Sequence, residues 1–413
     1  MLSVGIDAHL DEHQIEIQKE NGQRLWKKRV ENNKHGLDEL CRQLEEIKRS
    51  TGDMNVVGIF TEAIGSYFAP FQYHLTQRGY RVVIVNPMRV ISARTMKNLG
   101  KSKNDRIDAS TLASLPWMDV GYQENDSHQR YAISNLTRLH QKMQHNETRL
   151  VNYLRADLAQ IFPEFSQQVK DIDTKTVFAI LEKYPTPTLL INIPVEELAR
   201  LISQNSRGGY DKDFAKKIEE LAENSIGVPD NDGIFAYRIR FYIKQINEIK
   251  KSLKELESEI TRRTDNIDEI KMIDDIKGIQ RIRAASIYGE IGPINQFESA
   301  RKLQGYGGIT PKMKQSAKKE WVGRPTKIAN HYLREATSVC AKSLALHSEE
   351  FREVYFRERT KGKSDTQAFI VIGNRLLYHV FSMLKNKKPY RKRMPQQISN
   401  RPRPFISRRE SPT

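Results

Sequence analysis

Leu2-Ser3-Val4-Gly5-Ile6-Asp7 is an apolar run of strand length that ends in a carboxylate. Beyond it, Ile15 and Ile17 alternate with polar residues from His13 to Lys19, and Gln23 to Val30 follows an Asn21-Gly22 turn. This spacing predicts three strands in succession, a meander. Further outward, Leu37, Leu40, Cys41, Leu44 and Ile47 keep helical spacing from His35 to Arg49, and Asn55 to Phe60 returns to a buried-strand pattern. A helix from Ser66 to Gln77, a strand from Tyr80 to Val85 closed by Asn86-Pro87, and a helix ending near Pro116 complete the run. A meander followed by βα units predicts an α/β domain, a mixed sheet with flanking helices.

The last of these helices opens with Lys103-Asn104-Asp105-Arg106-Ile107-Asp108-Ala109, which sets Asp105 and Asp108 three residues apart on one helical face. Paired carboxylates repel unless a cation joins them, and hard divalent ions take oxygen ligands. Asp7 ends the first strand and Glu62 follows the fourth; strand ends of open α/β sheets bring groups distant in sequence into one crevice. Taken singly, Asp7 also reads as a turn cap and Glu62 as the start of a helix. Taken together, Asp7, Glu62, Asp105 and Asp108 form a set able to hold two metal ions across a phosphoryl transfer.

The chain has 413 residues, enough for two or three domains. Its 68 Lys and Arg against 51 Asp and Glu give a net charge of +17, which favours a polyanionic partner, nucleic acid first. Cys41 and Cys340 are too few and too distant for a disulfide framework or a cysteine zinc site. The first residues lack a basic segment followed by a long apolar one, and no apolar run approaches membrane-spanning length. The expectation is a cytoplasmic protein without a membrane partner.

From Tyr131 to Ile161 the pattern is one long helix stopped by Pro163, and residues 165–232 hold short helical patterns with no readable chemistry. Ile239, Tyr242, Ile246, Ile249, Leu253, Leu256 and Ile260 fit a and d positions of a coiled coil, able to pack within one chain or to pair two chains. Asp274 to Ala285 resembles the hairpin of a helix-hairpin-helix element, in which the Gly278 turn offers backbone N–H groups to phosphate; a plain helical turn is the competing reading. The glycine-rich run through Gly305-Tyr306-Gly307-Gly308 leads into Lys312, Lys314, Lys318, Lys319, Arg324 and Lys327, a field that draws a phosphate backbone. Ser316 lies inside that field. A serine becomes a nucleophile only when a base, a metal or positive charge activates it, and a phosphate-contacting or loop serine is the alternative. After Tyr390, Arg391-Lys392-Arg393 and a tail rich in Pro, Ser and Arg cannot build a core and read as a disordered nucleic-acid-binding arm. The expected divisions are 1–128, 129–270, 271–390 and the tail 391–413.

Gly5-Ile6-Asp7, Thr61-Glu62-Ala63-Ile64-Gly65-Ser66-Tyr67, Val85-Asn86-Pro87 and Lys103 to Ala109 resemble the DEDD transposases of bacterial insertion sequences, relatives of the Piv DNA invertases. The first division accordingly resembles the RNase H-like, RuvC-like fold of Holliday-junction resolvases. Asn104 and Ile64 stand where Thr is frequent in that family, Ala317 where Gly is usual, and Gln280 replaces the second Gly of many such hairpins. The resemblance implies that Asp7, Glu62, Asp105 and Asp108 are the metal set for two Mg²⁺ ions and that Ser316 is the nucleophile of a mostly helical C-terminal serine domain. It further implies a homo-oligomer, dimer or tetramer, joined through the middle region, with the metal site of one subunit working with the serine of another. A structured bridge RNA would select donor and target double-stranded DNA. The expected activity is excision and integration of an insertion sequence. The rivals are a Piv-like invertase, a metal-dependent junction nuclease with water as nucleophile, and an architectural nucleic-acid-binding protein whose acids serve folding.

Overall fold

The computed structural model describes residues 1–62, 67–85, 90, 93, 105–118, 128–206, 212–309, 311–316, 319–325 and 329–391, with backbone alone for 105–107, 128, 311–316 and 319–325. The chain forms two compact units, one of residues 1–131 and 271–413, the other of residues 132–270.

In the first unit, β1 (Leu2–Ala8), β2 (Glu12–Lys19) and β3 (Arg24–Glu31) form the expected antiparallel meander. β4 (Val56–Glu62) lies parallel to β1 on its other side, β5 (Val82–Val85) lies parallel to β4, and the order is β3-β2-β1-β4-β5. Helix α1 (Lys34–Thr51) leads from β3 towards β4; the Asn33 side chain caps it by accepting from the Gly36 amide, and Gly52 closes it in the left-handed region. Helices α2 (Ala69–Gln77) and α3 (Asp105–Ser114) complete the domain. Alternation sorts the sheet into two faces. Leu2, Val4, Ile6, Ile15, Ile17 and Ile59 pack with Leu37, Leu40, Leu44, Phe71 and Leu75 of α1 and α2. Phe60, Val83 and Val85 pack with Leu112 of α3 and with Leu115 on the other face.

His13 is buried in the first core, its ring 4.5 Å from Phe71 and 5.8 Å from Phe68. Burial lowers its pKa to about 4 against an ordinary 6.5. The folded state therefore holds it neutral where the unfolded chain takes a proton, so stability is present above pH 6.5 and falls as pH drops towards 4. Urea midpoints measured from pH 7 down to pH 4 are expected to fall more steeply for the natural protein than for His13→Leu; equal slopes would contradict the assignment.

The C-terminal part of this unit contains helices Arg281–Ile291, Ala300–Tyr306, His331–His347, Glu349–Thr360 and Asp365–Asn386. Between them stands a β-hairpin that the basic, glycine-led sequence did not announce: β6 (Pro311–Ser316) against β7 (Lys319–Pro325).

Helix His128–Ile161, which belongs to the second unit from Ala132 onward, and helix Ile234–Thr264 run antiparallel. Asp157 meets Arg238 at 2.8 Å, the Tyr153 and Tyr242 rings stand 6.0 Å apart, Glu147 meets Lys250 at 3.8 Å and His140 meets Glu257 at 2.9 Å. Of the heptad stripe, Ile239, Ile246, Leu253 and Ile260 are buried and Tyr242, Ile249 and Leu256 are half-buried. Ile239, Ile243 and Ile246 share a core with Val151, Leu154 and Leu158.

Candidate active site

Parallel pairing of β1 with β4 sets Ile6 beside Thr61, so the next residues, Asp7 and Glu62, take adjoining positions at one end of the sheet. Ile6 and Ile59 belong to the core under α1 and α2; by alternation Asp7 and Glu62 lie on the opposite face, which α3 covers. Gly5 explains how closely it does so. A Cβ there would stand 2.0 Å from the Ala109 carbonyl oxygen and 2.3 Å from the Ala113 nitrogen. Only a residue without a side chain lets this helix rest directly on β1.

That contact fixes the neighbourhood of the helical acids. Asp108 precedes Ala109 and is buried, 4% exposed. Asp105 opens α3, where the backbone is described. The Asp7 carboxylate, 16% exposed, lies 3.3 Å from Nε2 of His9, and Glu62 is half-buried. The sheet and α3 thus bring Asp7, Glu62 and Asp108 to one face of the domain. Among the described residues no three His, Cys, Asp or Glu side chains stand close enough to hold an ion between them. Of the family-like phrases, Ala63 to Ser66, Asn86-Pro87 and Lys103-Asn104 lie outside the described residues.

Sequence reasoning missed the polar row of β2 on this face. Gln14 pairs with Asp7, Glu16 with Gly5 and Gln18 with Ser3, and all three β2 side chains are buried. Their alternation with Ile15 and Ile17 reads as a solvent-facing row, whereas α3 covers it. Lys27 Nζ lies 2.8 Å from Glu16 Oε2 and Arg24 Nε 3.3 Å from Oε1, and Gln18 Nε2 donates to Oε1 at 2.5 Å. Burial pushes the Glu16 carboxyl up, but the hydrogen bonds from Lys27 and Gln18 and the charges of Lys27 and Arg24 outweigh it and hold the group below the ordinary carboxylate range.

Ser316 ends β6 and pairs across the ladder with Lys319, the first residue of β7. It therefore stands at the turn end of the hairpin. Lys312 and Lys314 lie on β6 and Arg324 on β7; Ala317, Lys318, Lys327, Lys392 and Arg393 lie outside the described residues, and Arg391 is exposed. Gly278 adopts a φ of 106° and packs against the helix His331–His347: its carbonyl accepts from Ser343 Oγ at 2.6 Å, and a Cβ would meet the Ser343 carbonyl oxygen at 3.2 Å.

Comparison with known proteins matches two stretches of the chain. Residues 4–163 match a family model described as transposase, named for the DEDD type and IS110, and residues 270–356 match that of the transposase IS116/IS110/IS902 family. The 44.8 kDa protein of insertion element IS116 from Streptomyces clavuligerus is 22% identical over 93% of this chain and 95% of its own length. The 42 kDa protein of insertion element IS900 from Mycobacterium paratuberculosis is 22% identical over 94% of this chain and 96% of its own. The transposase for insertion sequence element IS1111A of Coxiella burnetii is 22% identical over 30% of this chain and 35% of its own.

Proposed function

Because the chain belongs to the IS110/IS116 family of transposases, we propose that it cuts and rejoins DNA in insertion-sequence transposition by attack of Ser316 on a DNA phosphate beside a carboxylate metal site. The observation that carries the reading is the adjoining placement of Asp7 and Glu62 under the helix that bears Asp108. Their donor set, carboxylate oxygen throughout with Asp105 as the fourth member, suits a hard ion such as Mg²⁺. Two bound Mg²⁺ ions would polarise the scissile phosphate and stabilise the leaving 3′ oxygen.

The chain's own residues supply the rest. Ser316, at the turn end of the hairpin beside Lys319, brings a hydroxyl to the phosphorus. Lys312, Lys314, Lys318, Lys319, Arg324 and Lys327, together with Gly278 and the arm Arg391-Lys392-Arg393, hold donor and target DNA by their phosphates, without sequence preference. The choice of site falls to a structured guide RNA, which the surplus of 68 basic over 51 acidic residues is suited to bind. Copies of the chain associate through the middle region as a dimer or tetramer, so that one subunit's acids serve another's serine. No described helix is long and apolar enough to cross a membrane, and the reaction is assigned to the cytoplasm, where the chromosome lies.

One observation favours a second reading: the first matched family model takes its name from acidic residues, which alone suffice for metal-dependent hydrolysis with water as nucleophile. The metal part is common to both readings and is tested first. EDTA is expected to abolish cleavage of labelled donor DNA, and Mg²⁺ or Mn²⁺ to restore it. Asp108→Asn, which retains size and removes charge, is expected to lower the rate at least about a hundredfold at any Mg²⁺ concentration. Cleavage undiminished by both treatments would return the acids to a role in folding.

A further inference from the structure

We infer that Gln18, oriented by Glu16, is a positioning residue that sets α3, and with it Asp105 and Asp108, in place over β1; the inference rests on the reading of those acids as the metal set. Gly5 lets the helix approach the sheet, but contact between backbones resists sliding and rotation only weakly. A directional bond does more. The Gln18 amide nitrogen carries two hydrogens: one goes to Glu16 Oε1 at 2.5 Å and the other to Ser110, 3.1 Å from Oγ and 3.4 Å from the carbonyl oxygen. Ser110 stands two residues beyond Asp108 on the same helix.

The chemistry of Glu16 decides which way that amide faces. An ionised carboxylate only accepts, so the amide must present nitrogen, not oxygen, to Glu16, and its second N–H is then directed at α3. Lys27 and Arg24 on β3 hold Glu16 ionised although its side chain is only 1% exposed. The result is a chain from β3 through β2 to the helix: an ion pair from Lys27 to Glu16, a charge-assisted bond from Gln18 to Glu16, and a neutral hydrogen bond from Gln18 to Ser110. Its two inner members, Glu16 and Gln18, are buried, where such bonds are strong and an unmade one is costly. A network of this kind around a metal set tunes affinity by fixing where ligands stand.

The test measures Mg²⁺ binding to the full chain, by the rise in melting temperature and by titration calorimetry. It compares the natural protein with Asp108→Asn, Gln18→Leu, Ser110→Ala, Glu16→Gln and the Gln18→Leu/Ser110→Ala double variant. Ser110→Ala removes one hydroxyl from a half-buried position and leaves the Ser110 carbonyl as an acceptor for Gln18, so it is expected to fold and to melt only slightly below the natural protein without Mg²⁺. It and Gln18→Leu are expected to require about tenfold more Mg²⁺ for half-saturation, with Glu16→Gln shifted in the same direction. The double variant is expected to be no weaker than either single one, since both remove the same link. Natural-like Mg²⁺ binding by Ser110→Ala and Gln18→Leu, with binding lost in Asp108→Asn, overturns the positioning role and leaves the metal reading standing. Should Gln18→Leu fail to fold, Ser110→Ala decides alone. Asp108→Asn binding Mg²⁺ as the natural protein does, or no Mg²⁺ effect in any of them, removes the metal reading and this inference together.

Discussion

Ser316→Ala is expected to eliminate the covalent protein–DNA adduct and strand exchange, at least about a thousandfold, while Mg²⁺ binding and affinity for DNA stay as they were. In the proposed reaction Ser316 Oγ bonds to phosphorus as the bond from phosphorus to the 3′ oxygen breaks. The hydroxyl gives up its proton, the departing oxygen takes one, and the phosphoserine ester keeps the energy needed to rejoin strands. Alanine has no atom for the first of these bonds. The effect is separable from binding because the cations of the hairpin remain: Lys319 is the cross-strand partner of Ser316, and Lys312 and Lys314 precede it on β6. The measurement is a denaturing gel of labelled donor and target DNA after incubation with protein, Mg²⁺ and the element's flanking RNA. An adduct present with the natural chain and absent from both Ser316→Ala and Asp105→Asn joins serine and acids in one reaction. Cutting that persists in Ser316→Ala, with no adduct in the natural chain, would assign attack to water and make the protein a hydrolytic nuclease.

The residues that frame the acids were legible because each obeys a local rule. Leu2, Val4 and Ile6 alternate with Ser3 and Gly5, and the structure sends the two sets to opposite faces of β1. Asp7 and Glu62 stood at strand ends in the sequence, and parallel pairing with Ile6 beside Thr61 sets them side by side. The polar row was hidden by the same rule. Gln14, Glu16 and Gln18 have the spacing of a solvated face, and nothing local shows that a helix about a hundred residues later covers them; Gln18 and Ser110 meet across a separation of 92 residues. Arg130 is similar: it lies 3.6 Å over the Tyr288 ring and donates to the Tyr288 carbonyl at a separation of 158. The hairpin escaped notice for a different reason. Strand preference depends on cross-strand partners, and Lys314 opposite Trp321 is not a pair that either half announces. On Ile234–Thr264 the heptad stripe was plain but its partner was not, and the second unit spends part of it on the helix that carries Leu154 and Leu158.

Gly5→Ala is expected to destabilise the first unit by roughly 3 kcal/mol and to lower DNA cleavage further than the lost stability explains. The added carbon would lie 2.0 Å from one backbone atom of α3 and 2.3 Å from another, where contacts under 3.0 Å essentially never occur. Side chains turn away from such clashes by changing rotamer; a carbonyl oxygen and an amide nitrogen cannot. The helix must therefore retreat from β1, or β1 must bend, and either movement carries Asp105 and Asp108 away from Asp7 and Glu62. Ala109→Gly in the same chain is expected to give no rescue, because the colliding atoms belong to the backbone and remain. Gly305→Ala is the control: it sits in a helix with nothing within 4 Å of its added carbon, so the melt should stay level or rise slightly. Urea unfolding gives the stability difference, and cleavage assayed well below the transition, where each variant is still folded, gives the second effect. Equal stability and equal cleavage in Gly5→Ala would show that α3 does not rest on β1 at this point, and the geometric case for the acid set would fall with it.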